Sequence, residues 1–374
     1  ERFYVERYEK DDQAKSLPKD EDEVDLNTRR SRDYYNLTPN PVNERLAYVS
    51  NKDGKYHVVI FDPETGKKKT MLKGGVKLER IQDFDYPILA WHPLGERLTV
   101  LHEEEGVTMI TNIDLEMQES VTRELFKLDR VNSMSYSPNG KTILMSAFKE
   151  GQTDLFEYTV VNGNLNQLTN DLNDDLYPSY VDKDHILFTS NRDIDTLNVT
   201  LDEPFDLPSS WDVFLMTRGQ NALRRVTNTP NQNETHTGVI KPKTYTYLAN
   251  KNGVYNRFVA QIDSAISGID TVVHYRYFST SYPATNYKRS IVEQVVYPAN
   301  SEFSEVLFYD RKYRFYNGQY ETIPNAEESF ANTTYKELPI SSGNTSAFGL
   351  CHDHVKARRC YIVHIRVDVG NKIF

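Results

Sequence analysis

The residues best suited to chemistry lie near the C-terminal end, where five potential metal ligands fall within 14 positions. Thiolate sulfur and imidazole nitrogen are ligands that zinc favours. The spacing matches no standard zinc finger or ribbon, and a Cys351–Cys360 disulfide is an alternative. We therefore expect free thiols on an ordinary strand and loop, and keep a metal site as the weaker hypothesis. Its candidate ligands are Cys351, His354, Cys360 and His364, with His352 beside them.

A second concentration of reactive side chains is acidic. The runs NDLNDD at 170–175 and EEE at 103–105 each place several carboxylates together. Paired carboxylates can transfer protons or bind calcium. We expect Asp174 and Asp175 to cap turn amides instead, and the run at 103–105 to be solvated in a hairpin turn.

The common catalytic and cofactor-binding motifs are missing from the sequence. It contains no G-x-S-x-G, no P-loop, no G-x-G-x-x-G and no H-E-x-x-H. We therefore predict no catalytic residue, no cofactor and a non-enzymatic role. A net charge of −10 and a pI near 5.5 also argue against nucleic acid as a partner.

No run of about 18 apolar residues, as a membrane-spanning helix needs, occurs in the sequence. The sequence begins at Glu1 without a Met or a signal-like region, so we expect a processed form or a fragment that has lost an address peptide.

The elements that would position any site come from a repeat. An apolar strand, a turn, a second apolar strand, another turn and an aromatic-bearing strand recur six times. Tyr outnumbers Phe by 25 to 17, which also favours strands over helices. The copies span 46–72, 88–115, 133–170, 175–193 continued at 209–228, 238–263 and 291–320.

The clearest copy shows why each part forms. In SPNG, Pro138 has the fixed φ that suits the first central position of a turn, and Gly140 tolerates a positive φ. Ile143 and Met145 then alternate with Leu144 across the two faces of a strand. Four short antiparallel strands in ~40–50 residues is the period of a propeller blade. We predict an all-β chain, a β-propeller of six blades with four antiparallel strands each.

Three regions follow from this repeat. Residues 1–34 form a charge-dense N-terminal arm, in which the alternating stretch at 2–8 is a candidate for the strand that closes the ring. Residues 35–325 form the propeller. Residues 326–374 form a tail of unassigned fold, with a strand predicted at 360–369.

The repeat has a set of recurring motif residues. They are Asp175, Pro178, Tyr180, Ile186, Phe188, Ser190, Arg192 and Asp193, the closing Leu168 and Thr169, and Trp91, Pro93, Tyr136 and Pro138 in the neighbouring copies. With these residues the repeat resembles the WD-like repeat of TolB-type six-bladed propellers over roughly 35–320. Related repeats also occur in peptidase propellers and sugar lyases. The resemblance implies a cell-envelope protein of the periplasm or outer membrane.

Three tripeptides resemble the O-glycosylation sequence of exported Bacteroidota proteins, and they indicate that phylum as the source. Their acceptor residues are Thr196, Ser264 and Thr271. Asn-x-Ser/Thr sequences at Asn198, Asn233, Asn332 and Asn344 would instead favour a eukaryotic secreted protein.

The insertion at 194–211 interrupts the fourth copy with prolines and apolar residues, and we predict that it contacts a partner. The leading hypothesis is a scaffold that binds other envelope proteins, with outer-membrane association through a partner or a missing segment. The alternative is a propeller that gates or binds substrate for a peptidase or lyase whose active site lies outside this chain. A weaker alternative, carbohydrate binding, rests on the many tyrosines. The predicted contact residues are Leu201, Pro204, Phe205, Leu207 and Trp211.

Overall fold

The computed structural model describes residues 17–19, 22–77, 86–197, 210–230, 232–271, 273–297 and 302–320. Within these ranges the chain forms 24 β-strands in six four-stranded antiparallel sheets. A short strand, β1 (Glu23–Val24), precedes the first complete sheet. Blade 1 then contains β2 (Asp33–Pro39), β3 (Leu46–Lys52), β4 (Lys55–Asp62) and β5 (Lys67–Gly74).

The next three blades follow in chain order. Blade 2 contains β6 (Ile88–Trp91), β7 (Arg97–Glu104), β8 (Val107–Asp114) and β9 (Ser120–Glu124). Blade 3 contains β10 (Arg130–Tyr136), β11 (Thr142–Lys149), β12 (Gln152–Thr159) and β13 (Leu165–Gln167). Blade 4 contains β14 (Asp175–Tyr180), β15 (His185–Ser190), β16 (Asp212–Thr217) and β17 (Leu223–Arg225).

The last two blades complete the ring. Blade 5 contains β18 (Glu234–Lys241), β19 (Thr244–Ala249), β20 (Asn256–Ile269) and β21 (Val273–Pro283). Blade 6 contains β22 (Ile291–Tyr297), β23 (Glu302–Tyr309), β24 (Lys312–Gln319) and β1. The first strand of each blade contacts the first strand of the next, and β22 contacts β2. The predicted six-bladed, all-β propeller is thereby confirmed.

The sixth blade takes its outer strand from the N-terminal segment. Val24 pairs with Phe315 and Glu23 pairs with Tyr316 in antiparallel register. The Arg314 guanidinium donates to both oxygens of the Glu23 carboxylate, at 2.9 and 3.2 Å. The first and last blades are therefore held by pairing between residues nearly 300 positions apart. The alternating stretch at 2–8 and the tail at 326–374 lie outside the described residues.

Each blade is buried on both faces by its neighbours. In β11, Ile143 and Met145 pack with residues of blade 2, whereas Leu144 packs with Ile186 and Phe188 of blade 4. The alternation predicted for this strand is therefore present, although both sets of side chains are apolar. Stacking of blades on both sides explains why β11 carries apolar side chains on both of its faces.

The turn of blade 3 shows how the local sequence fixes the blade-to-blade contact. Gly140 has a φ of +69° and its amide donates to the Ser137 carbonyl at 2.9 Å. A Cβ at this position would lie 2.1 Å from the Nε2 of His92, which belongs to the matching turn of blade 2. Glycine is required there both for the positive φ and for the close approach of the imidazole ring.

Candidate partner-binding hairpin

The hairpin of β20 and β21 differs in length from the rest of the ring. These strands contain 14 and 11 residues, whereas the other strands of the described ranges contain eight or fewer. Residues 256–260 of β20 are buried within blade 5, and from Asp263 onward the strand is half-buried or exposed. At ~3.4 Å per residue, the seven residues 263–269 extend the hairpin by roughly 20 Å beyond the buried part of the blade.

One face of this extension is apolar. Residues that pair directly across antiparallel strands share a face, and Ile266 pairs with Tyr275 while Ile269 pairs with Val273. A bulge between Ile266 and Gly268 brings Ile266 and Ile269 to the same side. Tyr277 lies on this side too, two residues from Tyr275. We name Ile266, Ile269, Val273, Tyr275 and Tyr277 the hairpin apolar face.

The side chains of this face are open to solvent. Ile269 is 72% exposed, Ile266 59% and Tyr275 54%. Every residue of β21 from Val273 to Ser281 is exposed, so neither face of this strand is buried. Exposed apolar patches of this kind mark interaction sites in soluble proteins.

The base of the hairpin is braced against blade 4. The Arg224 guanidinium lies 3.8 Å from the centre of the Tyr277 ring, within the range of a cation–π contact. The Ser279 hydroxyl donates to the carbonyl of Val226, the residue after β17. The hairpin apolar face is therefore turned toward the side of blade 4 and held there at its base.

The insertion at 194–211 begins beside β17, the outer strand of blade 4. The Leu197 amide donates to the Asn221 carbonyl at 2.8 Å and the Leu223 amide donates to the Asp195 carbonyl at 2.9 Å. Trp211, at the far end of the insertion, is half-buried, and its carbonyl accepts from the Glu234 amide at 3.2 Å. The predicted contact residues Leu201, Pro204, Phe205 and Leu207 lie outside the described residues, so the predicted contact role of the insertion stays a prediction.

The three predicted glycosylation sites are in different settings. Thr196 is half-buried and its hydroxyl donates to the Asn221 carbonyl at 3.1 Å. Ser264 is half-buried on β20, and Thr271 is exposed at the tip of the hairpin. Two of these predicted sites therefore belong to the projecting hairpin.

The acidic run at 170–175 joins blade 3 to blade 4. The Arg192 guanidinium donates to Asp171 at 3.0 Å and to Asp175 at 2.7 Å, and the three side chains are at most 2% exposed. Asp154 is buried close by and accepts from the Thr169 hydroxyl at 3.2 Å. Burial, and then the charge of Asp175, raises the pKa of Asp154 to about 7. Asp154, Asp171 and Asp175 therefore form contacts inside the protein and are not exposed to a ligand.

A related cluster joins blade 4 to blade 5. The buried Glu234 carboxylate accepts from the hydroxyls of Thr227 and Thr229, the latter at 2.8 Å. Thr227 accepts from the Val213 amide at 2.8 Å, as Thr169 accepts from the Leu155 amide at 2.9 Å one blade earlier. Thr169 and Thr227 stand at the ends of the third and fourth copies. Each therefore links the segment after its outer strand to the third strand of the same blade, β12 or β16.

Glu234→Gln is expected to reduce the pH dependence of stability. Burial raises the pKa of Glu234 from 4.5 to about 8, so the folded chain keeps a proton that the unfolded chain has released. The stabilisation is complete below about pH 4.5 and is lost as the pH rises through about 8. Glutamine stays neutral, so the variant should match the parent near pH 5 and exceed its stability near pH 8.5.

Urea unfolding midpoints at pH 5, 6.5 and 8.5 would measure this difference. Glu105→Gln, at an exposed turn between β7 and β8, is the matched control for the loss of one negative charge. If the unfolding midpoints of the parent and of Glu234→Gln changed equally with pH over this range, the Glu234 side chain would not be a buried neutral carboxyl group in the folded parent.

No group of three or more His, Cys, Asp or Glu side chains in the described ranges is placed to hold a metal ion. The candidates Cys351, His354, Cys360 and His364 lie outside those ranges, so the metal hypothesis stays untested. The described part of the chain also contains no helix that is both long and apolar enough to cross a membrane.

Comparisons with known proteins show similarity only to solved structures, since no protein-family model and no curated protein matches the chain. TolB from Acinetobacter baumannii is 13% identical, with a TM-score of 0.47 over 62% of this chain and 52% of that chain. The β-propeller domain of the Trilobed protease from Pyrococcus furiosus is 10% identical, with a TM-score of 0.47 over 80% and 98%. Oligogalacturonate lyase from Vibrio parahaemolyticus is 9% identical, with a TM-score of 0.48 over 80% and 96%. The chain thus spans about half the length of the TolB structure.

The projecting hairpin was not predicted from the sequence. The predicted fifth copy ends at residue 263, although the alternating run VHYRYF at 273–278 follows a Ser-Gly-Ile-Asp turn signal.

Proposed function

We propose that the chain is a non-enzymatic scaffold that binds another protein through the hairpin apolar face. The observation that carries this proposal is a set of five large apolar side chains, each 39% to 72% exposed, on a paired hairpin braced at its base. Their exposure to water costs free energy that burial against a partner recovers.

The shape of this surface favours a protein over a small molecule. Small ligands bind in concave pockets that enclose most of their surface, whereas the hairpin projects from its blade with both faces of β21 exposed. Tyrosine is enriched at protein interfaces, and Tyr275 and Tyr277 supply it here. Because stacked blades hold the base of the hairpin in place, binding costs little ordering of the scaffold itself.

The proposed location is the periplasm or the outer membrane, and the proposed partners are other envelope proteins. This part of the proposal is supported by the resemblance of the sequence repeat to that of TolB-type propellers. A cytoplasmic location of the protein in fractionated source cells would contradict it.

Site-specific photo-crosslinking in source cells would test partner binding. With benzoylphenylalanine in place of Tyr275, we expect one discrete crosslinked protein, identified by mass spectrometry. The matched control places the same group at Phe126, which is 82% exposed in the connection between β9 and β10. Equal crosslinking from both positions, or none from position 275, would contradict the proposed function.

A further inference from the structure

The outer edge of β21 differs from the other outer edges of the ring. A sheet edge offers unpaired N–H and C=O groups to any extended chain, and proteins usually protect it by short strands or lysines. The outer strands β1, β9, β13 and β17 contain two, five, three and three residues. The outer strand β5 has eight residues, four of them lysines. Each of these five edges carries one of the usual protections.

The β21 edge carries neither protection. It has 11 residues of sequence VHYRYFSTSYP, without lysine, and its only proline is the last residue. The bulge of this hairpin lies in β20, so β21 itself is regular from Val273 to Pro283. A long, regular and mostly uncharged edge is suited to pairing with another strand.

The charges along this edge indicate the chemistry of the segment that would pair with it. Arg276 is exposed and forms no ion pair with any residue of the described ranges. Among nearby acids, Asp270 is paired with His274 at 3.0 Å, and the Asp263 carboxylate accepts from the Ser264 amide at 2.7 Å. Arg276 is therefore available for a carboxylate supplied from outside.

We infer that β21 accepts a fifth strand, an extended and mainly apolar segment of the partner protein that carries a carboxylate opposite Arg276. This inference rests on the proposed function and specifies how the partner binds. Backbone pairing along the edge supplies affinity, and alternate side chains of the added strand contact the hairpin apolar face on one side. On the other side, the carboxylate pairs with Arg276.

A second copy of this chain is a poorer occupant. β21 contains no Asp or Glu, so antiparallel pairing of two β21 strands gives neither Arg276 a counter-charge. The net charge of −10 per chain also opposes self-association.

Two synthetic 11-residue peptides of alternating Thr and Val would serve as probes, one with a central Glu and one with a central Lys. We expect the Glu peptide to slow hydrogen exchange at the amides of 273–281 and to bind the parent more tightly than the Lys peptide does. Arg276→Glu should weaken binding of the Glu peptide about tenfold and strengthen binding of the Lys peptide. Since Arg276 is exposed, an unchanged melting temperature would show that the variant is folded.

The same Glu peptide with alternate backbone nitrogens methylated cannot donate to a strand edge, and it should not bind. Binding that survives methylation, or peptide binding without protection of β21, would overturn strand addition. If the parent formed a dimer and Arg276→Glu dissociated it, a second copy of this chain would be the occupant of the β21 edge, and addition of a partner strand would be wrong. If the peptides fail while Tyr275 still crosslinks to one partner, strand addition is wrong and the proposed scaffold stands. If both experiments fail, both proposals are wrong.

Discussion

Replacing Arg192 by Met is expected to lower the free energy of unfolding by about 3–5 kcal/mol near pH 8. The guanidinium lies between Asp171 and Asp175 in a site where all three side chains are nearly inaccessible to water. Methionine has a similar volume but no charge, so the variant would leave carboxylates buried without their cation. The size of the loss reflects that unpaired charge rather than the net contribution of the ion pairs.

The loss should be smaller near pH 5. Burial already raises the pKa of Asp175 to about 6, while the nearby charge of Arg192 acts to lower it. Without Arg192 this pKa rises further, so the carboxyl becomes neutral at low pH and the penalty of a buried charge decreases. Urea unfolding of Arg192→Met and the parent at pH 5 and pH 8 would measure both effects.

Arg218→Met is the matched control in the same blade. Arg218 pairs with Glu157, and the two side chains are 32% and 16% exposed, so this pair is partly accessible to water. We expect this change to cost less than Arg192→Met does. Equal losses for the two variants, or a larger loss for Arg192→Met at pH 5 than at pH 8, would show that the buried cluster does not act as described.

The features of the fold that were predictable from the sequence are local. A turn such as SPNG specifies its own geometry through Pro138 and Gly140, and it recurs often enough to reveal the blade period. Closure of the ring is not local, because Glu23 and Val24 pair with Tyr316 and Phe315 far along the chain. A strand of two residues also has no alternation to detect, so the sequence pattern does not identify β1.

The candidate site was less predictable, for a related reason. Alternation in VHYRYF indicates a strand but does not say whether its apolar face is covered. That depends on β20 and β21 continuing beyond the blade, which only the fold reveals. The insertion at 194–211 stood out because it interrupts a copy, whereas the hairpin lengthens one without breaking its pattern. Similarly, the sequence could not show that Arg192 reaches both Asp171 and Asp175.

The double replacement Ile266→Ser and Tyr275→Ser is expected to weaken partner binding by at least about 100-fold, since apolar and tyrosine anchors contribute most of the binding energy at interfaces. The two residues pair directly across the hairpin, so the change removes the centre of the hairpin apolar face. Because both side chains are more than half exposed, the unfolding midpoint of the ring should remain close to that of the parent.

Crosslinking from benzoylphenylalanine at Val273 would report binding in this variant, because that position lies on the same face and is left free by the two replacements. The matched control is Phe126→Ser with Val161→Ser, which removes two apolar side chains that are 82% and 80% exposed, in the β9–β10 connection and the β12–β13 turn. The control should retain the crosslinked partner, since neither residue lies on the hairpin. If both double variants lost the partner equally, general surface hydrophobicity rather than this face would account for binding. If neither did, Ile266 and Tyr275 would not be the residues that anchor the partner, and the proposed contact between the added strand and the hairpin apolar face would be wrong.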